Sequence, residues 1–135
     1  MKKKRVLFVC IGNAFRSQMA EAFANAYGRD VVLAESAGLA PMMAVPEPTK
    51  TVMREKGIDM DGHFPKALVH MDLKSYDLIV NMSGVPVHAP QGVELLVWNV
   101  GDPVGAKEQR VREVRDEIEQ LVTGLLIRLR QPQQK

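Results

Sequence analysis

The chain has 135 residues, 46% of them hydrophobic and 25% charged, and a formal net charge of +2; this suits one ordinary core and excludes a disordered or polyelectrolyte protein. Its few aromatics (one Trp, two Tyr, four Phe) and the gathering of basic residues at the ends (Lys2, Lys3, Lys4, Arg5, Arg128, Arg130) exclude a nucleic-acid surface with interleaved aromatics. No run reaches membrane-spanning length, and the single cysteine, Cys10, excludes an internal disulfide and a Cys/His zinc cluster, while a reactive thiol calls for a reducing compartment, here expected to be the cytoplasm.

Lys2 to Arg5 followed by VLFVCI looks superficially like a signal peptide. The apolar run lasts only about seven residues, however, and the polar Gly12-Asn13 turn follows with no small-residue cleavage site. Val6, Leu7, Phe8 and Val9 are instead expected to form a strand that delivers Cys10 to its carboxyl end. After Arg16, the apolar positions Met19, Ala20, Phe23, Ala24 and Tyr27 recur at helical spacing, and Gly28 stands where a helix stops. Val31 to Ala37 reads as a second strand, so strand, helix and strand within about 35 residues predict a parallel βαβ unit. Pro41, Pro46 and Pro48 make residues 40–48 a loop, expected at the rim of the site, and Thr49 to Lys56 is predicted to be a short helix closed by Gly57. The segment GIDMDGHFPKAL is turn-rich. Leu78 to Val80 and Leu95 to Trp98 supply the third and fourth strands. From about Lys107, residues Val111, Val114, Ile118, Leu121, Val122, Leu125 and Leu129 trace one face of a long helix, and Gln131 to Lys135 is expected to fray. The pattern predicts an α/β fold in a single domain, residues 1–135, a three-layer sandwich with a four-stranded parallel sheet flanked by helices and its ligand at the carboxyl end of the sheet. Neither G-x-G-x-x-G nor G-x4-G-K-[ST] occurs, so a nucleotide site is unsupported.

The chemistry concentrates between Val6 and Ser17. Gly12 and Asn13 tolerate positive φ, so the backbone N–H groups of Ile11, Gly12, Asn13, Ala14 and Phe15 can turn inward as a nest at the start of the helix that Arg16 opens. A tetrahedral dianion suits such a site. The same field stabilises a thiolate at Cys10, Arg16 can grip two oxygens with its planar fork, and Ser17 can donate a hydrogen bond to the sulfur. Cys10 and Arg16 enclose five residues, the C-x5-R spacing of cysteine-dependent phosphatases, which is a weak signal alone. The longer string VLFVCIGNAFRSQMAEAF resembles the start of the low-molecular-weight protein tyrosine phosphatase superfamily, which includes the thioredoxin-coupled arsenate reductases. SAGLAP, VMREKGIDMDGH and DPVGAKEQRVREVRDEI extend the resemblance over nearly the whole chain, on the arsenate-reductase side. The resemblance implies that superfamily's fold and places Asp102, in Gly101-Asp102-Pro103, as the general acid and then base facing the cysteine loop. It also implies that Ser36 and His63 brace Asn13, and that no metal or cofactor takes part.

The departures bear on substrate. Superfamily members commonly carry a second cysteine before the loop arginine, where this chain has Phe15, and three-cysteine arsenate reductases carry resolving cysteines where it reads NMSGVPVHAP. A vicinal disulfide and an internal disulfide relay are both excluded. The aromatics that sandwich a phenyl ring are replaced by Val104 and Gly105 after the Asp-Pro pair and by Met42 and Met43 in the rim, leaving Phe15 as an apolar wall. Three readings follow in order of expectation. The first is a phosphomonoester hydrolase acting on a phosphorylated small molecule or phosphotyrosine protein through a Cys10 phosphoenzyme, with Arg16 as clamp and Asp102 as acid and base. The second is a single-cysteine arsenate reductase resolved by an external thiol such as glutathione, mycothiol or a glutaredoxin. The third is an inactive oxyanion-binding regulatory protein, disfavoured by the intact set of Cys10, Arg16, Ser17 and Asp102.

Overall fold

A computed structural model describes residues 2–132. Strand β1 (Lys4–Cys10) leads into helix α1 (Arg16–Tyr27), strand β2 (Val32–Gly38), helix α2 (Glu47–Arg54), strands β3 (Leu78–Asn81) and β4 (Glu94–Val97), and helix α3 (Glu108–Arg130). The four strands are all parallel in the order β2-β1-β3-β4, with Cys10 level with Gly38 and Val9 level with Asn81. The central position of β1 explains its unbroken apolar run, since a strand covered on both faces needs apolar side chains on both.

Alternation divides that run between two cores. Val6 and Phe8 join Leu78 and Val80 beneath Met19 and Phe23 of α1, Val52 and Met53 of α2, and Val114, Ile118 and Val122 of α3. Leu7 and Val9 face the other way with Ile79, Ala37, Tyr76 and Val87. All four β1 side chains are fully buried, each contributing about 2 kcal/mol relative to exposure. The second face departs from a layer of helices: it is covered by Leu68, Met71 and Leu73, from the short 3-10 turns Leu68–His70 and Leu73–Ser75 and the residue that follows the first, and by the irregular 87–93 segment. Helical periodicity is absent from residues 57–77, so turns supply the third layer.

Helix α2 starts two residues earlier than predicted, at Glu47, because Pro48 lies within its first turn, where a missing N–H costs nothing. Gly57 closes it at φ +74°. The outer edge of β2 is partly sealed by Asn25 of α1, whose amide both donates to Ala34 O and accepts from Ala34 N at 3.0 Å, which blunts an otherwise open strand edge. Helix α3 ends at Arg130; the last three residues of the stretch expected to fray, 133–135, lie outside the described residues. Among the described residues no helix is long and apolar enough to cross a membrane.

Candidate active site

Strand β1 ends on Cys10, and the loop 11–15 carries the chain to the first turn of α1. The loop's carbonyls are turned outward by segment 39–42, whose N–H groups donate in succession: Leu39 to Cys10 O, Ala40 to Ile11 O and Met42 to Gly12 O, at 2.8 to 3.1 Å. Peptide planes so fixed leave their N–H groups facing the cleft. Thr49 of α2 ties the far side through Oγ1 to Ala14 O, 2.9 Å. Phe15 caps α1 without a side-chain hydrogen bond, so the first-turn N–H groups are left for an anion or solvent.

The loop turns at one residue rather than two. Asn13 takes φ +50°, whereas Gly12 does not take positive φ. Gly12 serves by lacking a side chain: a Cβ there would stand 3.1 Å from Met42 Cγ and 3.3 Å from its Sδ. Gly38, at the end of β2, has a stricter role, because a Cβ would meet Ile11 O at 2.6 Å and Asn13 N at 2.8 Å. The loop therefore rests directly on the β2 backbone. Gly38 and Thr49 lie far from Cys10 along the chain and carry no motif that ties them to it, although a glycine ending the second strand is a signal for close backbone approach.

Cys10 is 2% exposed. Its Sγ lies 2.9 Å from Ser17 Oγ and 3.2 Å from the N–H of Asn13. Asn13 in turn reaches Ser17 Oγ through Nδ2, 2.7 Å, and its Oδ1 accepts from Lys66 N, 2.8 Å. Arg16 is 5% exposed and is gripped through Nη1 by the carbonyls of Met82 and Val100, beyond the carboxyl ends of β3 and β4. Its Nη2 makes no hydrogen bond among the described residues and lies 3.4 Å from Asp102 Oδ2. Asp102 is half-exposed, and its Oδ1 accepts the N–H of Val104 at 3.0 Å. Cys10, Gly12, Ala14, Phe15, Arg16, Met42, Asp102 and Val104 line one cleft of about 10 Å³, room for about one water molecule. The residues expected at the centre of the site thus stand together.

The bracing of Asn13 differs from the expectation. Ser36 does not reach Asn13; its hydroxyl donates to Glu21 Oε1, because Gly38, two residues further along β2, is the position that abuts the loop. His63 acts at one remove. Its Nδ1 lies 3.0 Å from Gln18 Oε1, and Gln18 Nε2 reaches Asn13 Oδ1 at 3.2 Å and Phe64 O at 3.0 Å. Glu21 gathers Ser36, His63 Nδ1 at 3.7 Å and Lys66 Nζ at 3.8 Å behind this chain.

The family model for low molecular weight phosphotyrosine protein phosphatase matches residues 5–89, which is more than half of the chain. The chain belongs to that family. Among curated proteins similar to this chain, a glutaredoxin arsenate reductase from Synechocystis sp. is 31% identical over 130 residues, covering 93% of this chain and 98% of the relative. A solved arsenate reductase in a phosphate-binding state superposes with a TM-score of 0.84 at 30% identity, over 93% of this chain and 98% of that one. The low molecular weight protein tyrosine phosphatase of T. tengcongensis superposes with a TM-score of 0.82 at 28% identity, over 94% of this chain and the whole of that one. The α/β fold with a four-stranded parallel sheet is the fold of this phosphatase family, and both chemistries occur on it.

Proposed function

We propose that the protein is a single-cysteine arsenate reductase that uses an external thiol, which reverses the order of the first two readings drawn from sequence. The observation that carries the proposal is the cleft itself. It is small, about 10 Å³, and its rim is aliphatic, formed by Met42 and Val104, with Phe15 buried in the wall rather than standing as a slot for a phenyl ring. A compact inorganic oxyanion needs only a modest outward swing of Met42, Val104 and Asp102, whereas an aryl ester needs a channel. The arsenate reductases among the relatives support the same reading.

In this reading, the Cys10 thiolate attacks arsenic while Arg16 Nη2 and the loop N–H groups hold the oxyanion. An As–O bond breaks, and the departing oxygen takes a proton from Asp102 and leaves as water. With no second cysteine in the chain, an external thiolate attacks Cys10 Sγ. The S–As bond breaks with its electron pair left on arsenic, so As(V) departs as arsenite and Cys10 remains in a mixed disulfide. A second thiol releases Cys10, and two thiols are oxidised for each arsenate reduced. The partners are arsenate and a thiol reductant, glutaredoxin or a low-molecular-weight thiol, in the reducing cytoplasm.

The test is an arsenate-dependent NADPH oxidation assay coupled through glutathione reductase and glutaredoxin, run beside hydrolysis of para-nitrophenyl phosphate. The expected result is arsenate-dependent turnover that needs the external thiol and vanishes in Cys10→Ser, with weak ester hydrolysis. Rapid Cys10-dependent ester hydrolysis with no arsenate-dependent thiol oxidation overturns the proposal in favour of the phosphatase.

A further inference from the structure

Gln18 is fully buried at the start of α1, between His63 and the cysteine loop. Its hydrogen bonds form part of a chain whose polarity is determined at every link. Lys66 N is an obligate donor to Asn13 Oδ1, so that atom is the carbonyl oxygen and Asn13 Nδ2 is the amide that faces Ser17. Gln18 meets two acceptors, Asn13 Oδ1 and the carbonyl of Phe64, so the atom that faces both is its NH2 group. The Gln18 oxygen is thereby turned to His63 Nδ1. The other polar atom near that nitrogen is Glu21 Oε2 at 3.7 Å, also an acceptor, so Nδ1 carries the hydrogen.

At the other end, Ser17 Oγ receives the Asn13 amide and is left with one hydroxyl hydrogen, whose neighbour is Cys10 Sγ at 2.9 Å. The sulfur then accepts from both Ser17 and the Asn13 backbone, an arrangement that favours the thiolate. We infer that Gln18 is a positioning residue that, beside Lys66 N, holds the Asn13 amide in the orientation that leaves the Ser17 hydroxyl to donate to Cys10. The inference rests on the reading of Cys10 as a nucleophile, shared by the phosphatase and the reductase. Polarity is its essential property, since both flanking groups are carbonyl oxygens, and a residue of the same shape without N–H cannot tie Asn13 Oδ1 to the Phe64 backbone.

The test is the rate of Cys10 alkylation by iodoacetamide across pH, which requires neither arsenate nor a phosphate ester and so fails or succeeds apart from the proposed function. Gln18→Glu keeps the shape but sets a carboxylate against Asn13 Oδ1 and Phe64 O, drawing the Asn13 amide away from Ser17. The ratio of the alkylation rate at about pH 6 to that at about pH 9 should fall about tenfold, reflecting less thiolate at the lower pH. Gln18→Met conserves volume and is expected to fold; it removes the donors without adding an opposing acceptor, and the ratio should fall about threefold. Ser17→Ala, which removes the last donor directly, sets the upper limit of the effect. A wild-type pH profile in folded Gln18→Met overturns the inference, as does a folded Gln18→Glu whose rate falls equally at both pH values.

Discussion

Two buried arginines in this molecule are held in opposite ways. Arg115, 7% exposed on α3, is saturated: Nε donates to Asp116, and Nη1 donates to Val52 O and Glu55, while Nη2 lies 2.8 Å from Asp116. Arg16, 5% exposed, is anchored through Nη1 alone by two carbonyls, and its Nη2 has only a carboxylate at 3.4 Å. Both pay for desolvation with hydrogen bonds, but only Arg16 keeps donors in reserve. An arginine whose nitrogens are all engaged clamps α3 to α2; one fixed at a single corner presents a rigid, unspent fork to a ligand.

The difference can be broken by experiment. Arg16→Lys should lower kcat/KM for arsenate by about 100-fold or more, because lysine cannot hold the carbonyl anchor and the oxyanion together. Arg115→Lys should leave kcat/KM of the folded protein near wild type and lower stability to urea by about 1–3 kcal/mol. Matching phenotypes in the two variants would erase the distinction between site and clamp.

A smaller effect is expected at the rim, where Met42, pinned by its N–H to Gly12 O, lines the cleft together with Val104. Replacing both with alanine widens the entrance without touching Cys10 or Arg16. Hydrolysis of para-nitrophenyl phosphate should rise about tenfold relative to arsenate reduction. An unchanged ratio in steady-state assays would mean that rim width does not select the substrate.

The smallest effect belongs to the clamp's acid limb. Arg112, followed by Arg115, holds the Glu55 carboxyl down at about 2 from an ordinary 4.5. A carboxyl whose folded value is depressed contributes stability above its unfolded value, and the contribution is lost as pH falls from about 4.5 towards 2. Urea midpoints of wild type and Glu55→Gln should therefore differ modestly near neutrality and converge near pH 2, the gap shrinking in high salt because the pair is exposed. A constant gap across that pH window would show that Glu55 acts through packing rather than charge.

Much of this architecture is legible in the chain itself. The four strands and the α1 and α3 helices announce themselves through apolar runs and helical spacing, and Cys10, Arg16 and Ser17 stand out because few chemistries need those side chains in that pattern, whereas Asp102 is singled out only by the resemblance to the phosphatase superfamily. The 68–76 covering segment is not legible, since turns that pack the scattered, partly buried Leu68, Met71 and Leu73 against the sheet carry no period. The resemblance pairs Ser36 with Asn13, whereas its hydroxyl reaches Glu21. Gln18 carries no signal of its own, because a polar residue one place after Ser17 reads as an exposed helix position, and only the fold buries it.

By itself the sequence determined the local matters: which runs form strands, where Gly28 and Gly57 end helices, and that a chain with one cysteine forms no internal disulfide. These follow from side-chain period, backbone freedom and composition, all local properties. Only the tertiary structure decided that Gly38 lies under the loop, that segment 39–42 turns the loop carbonyls outward, that Met82 and Val100 hold Arg16, and that Lys66 N and Phe64 O fix the polarity of the chain ending at Cys10. Each of these is a backbone group far from Cys10 in sequence. Every residue possesses such groups alike, so no side-chain identity announces which of them will be brought to the site.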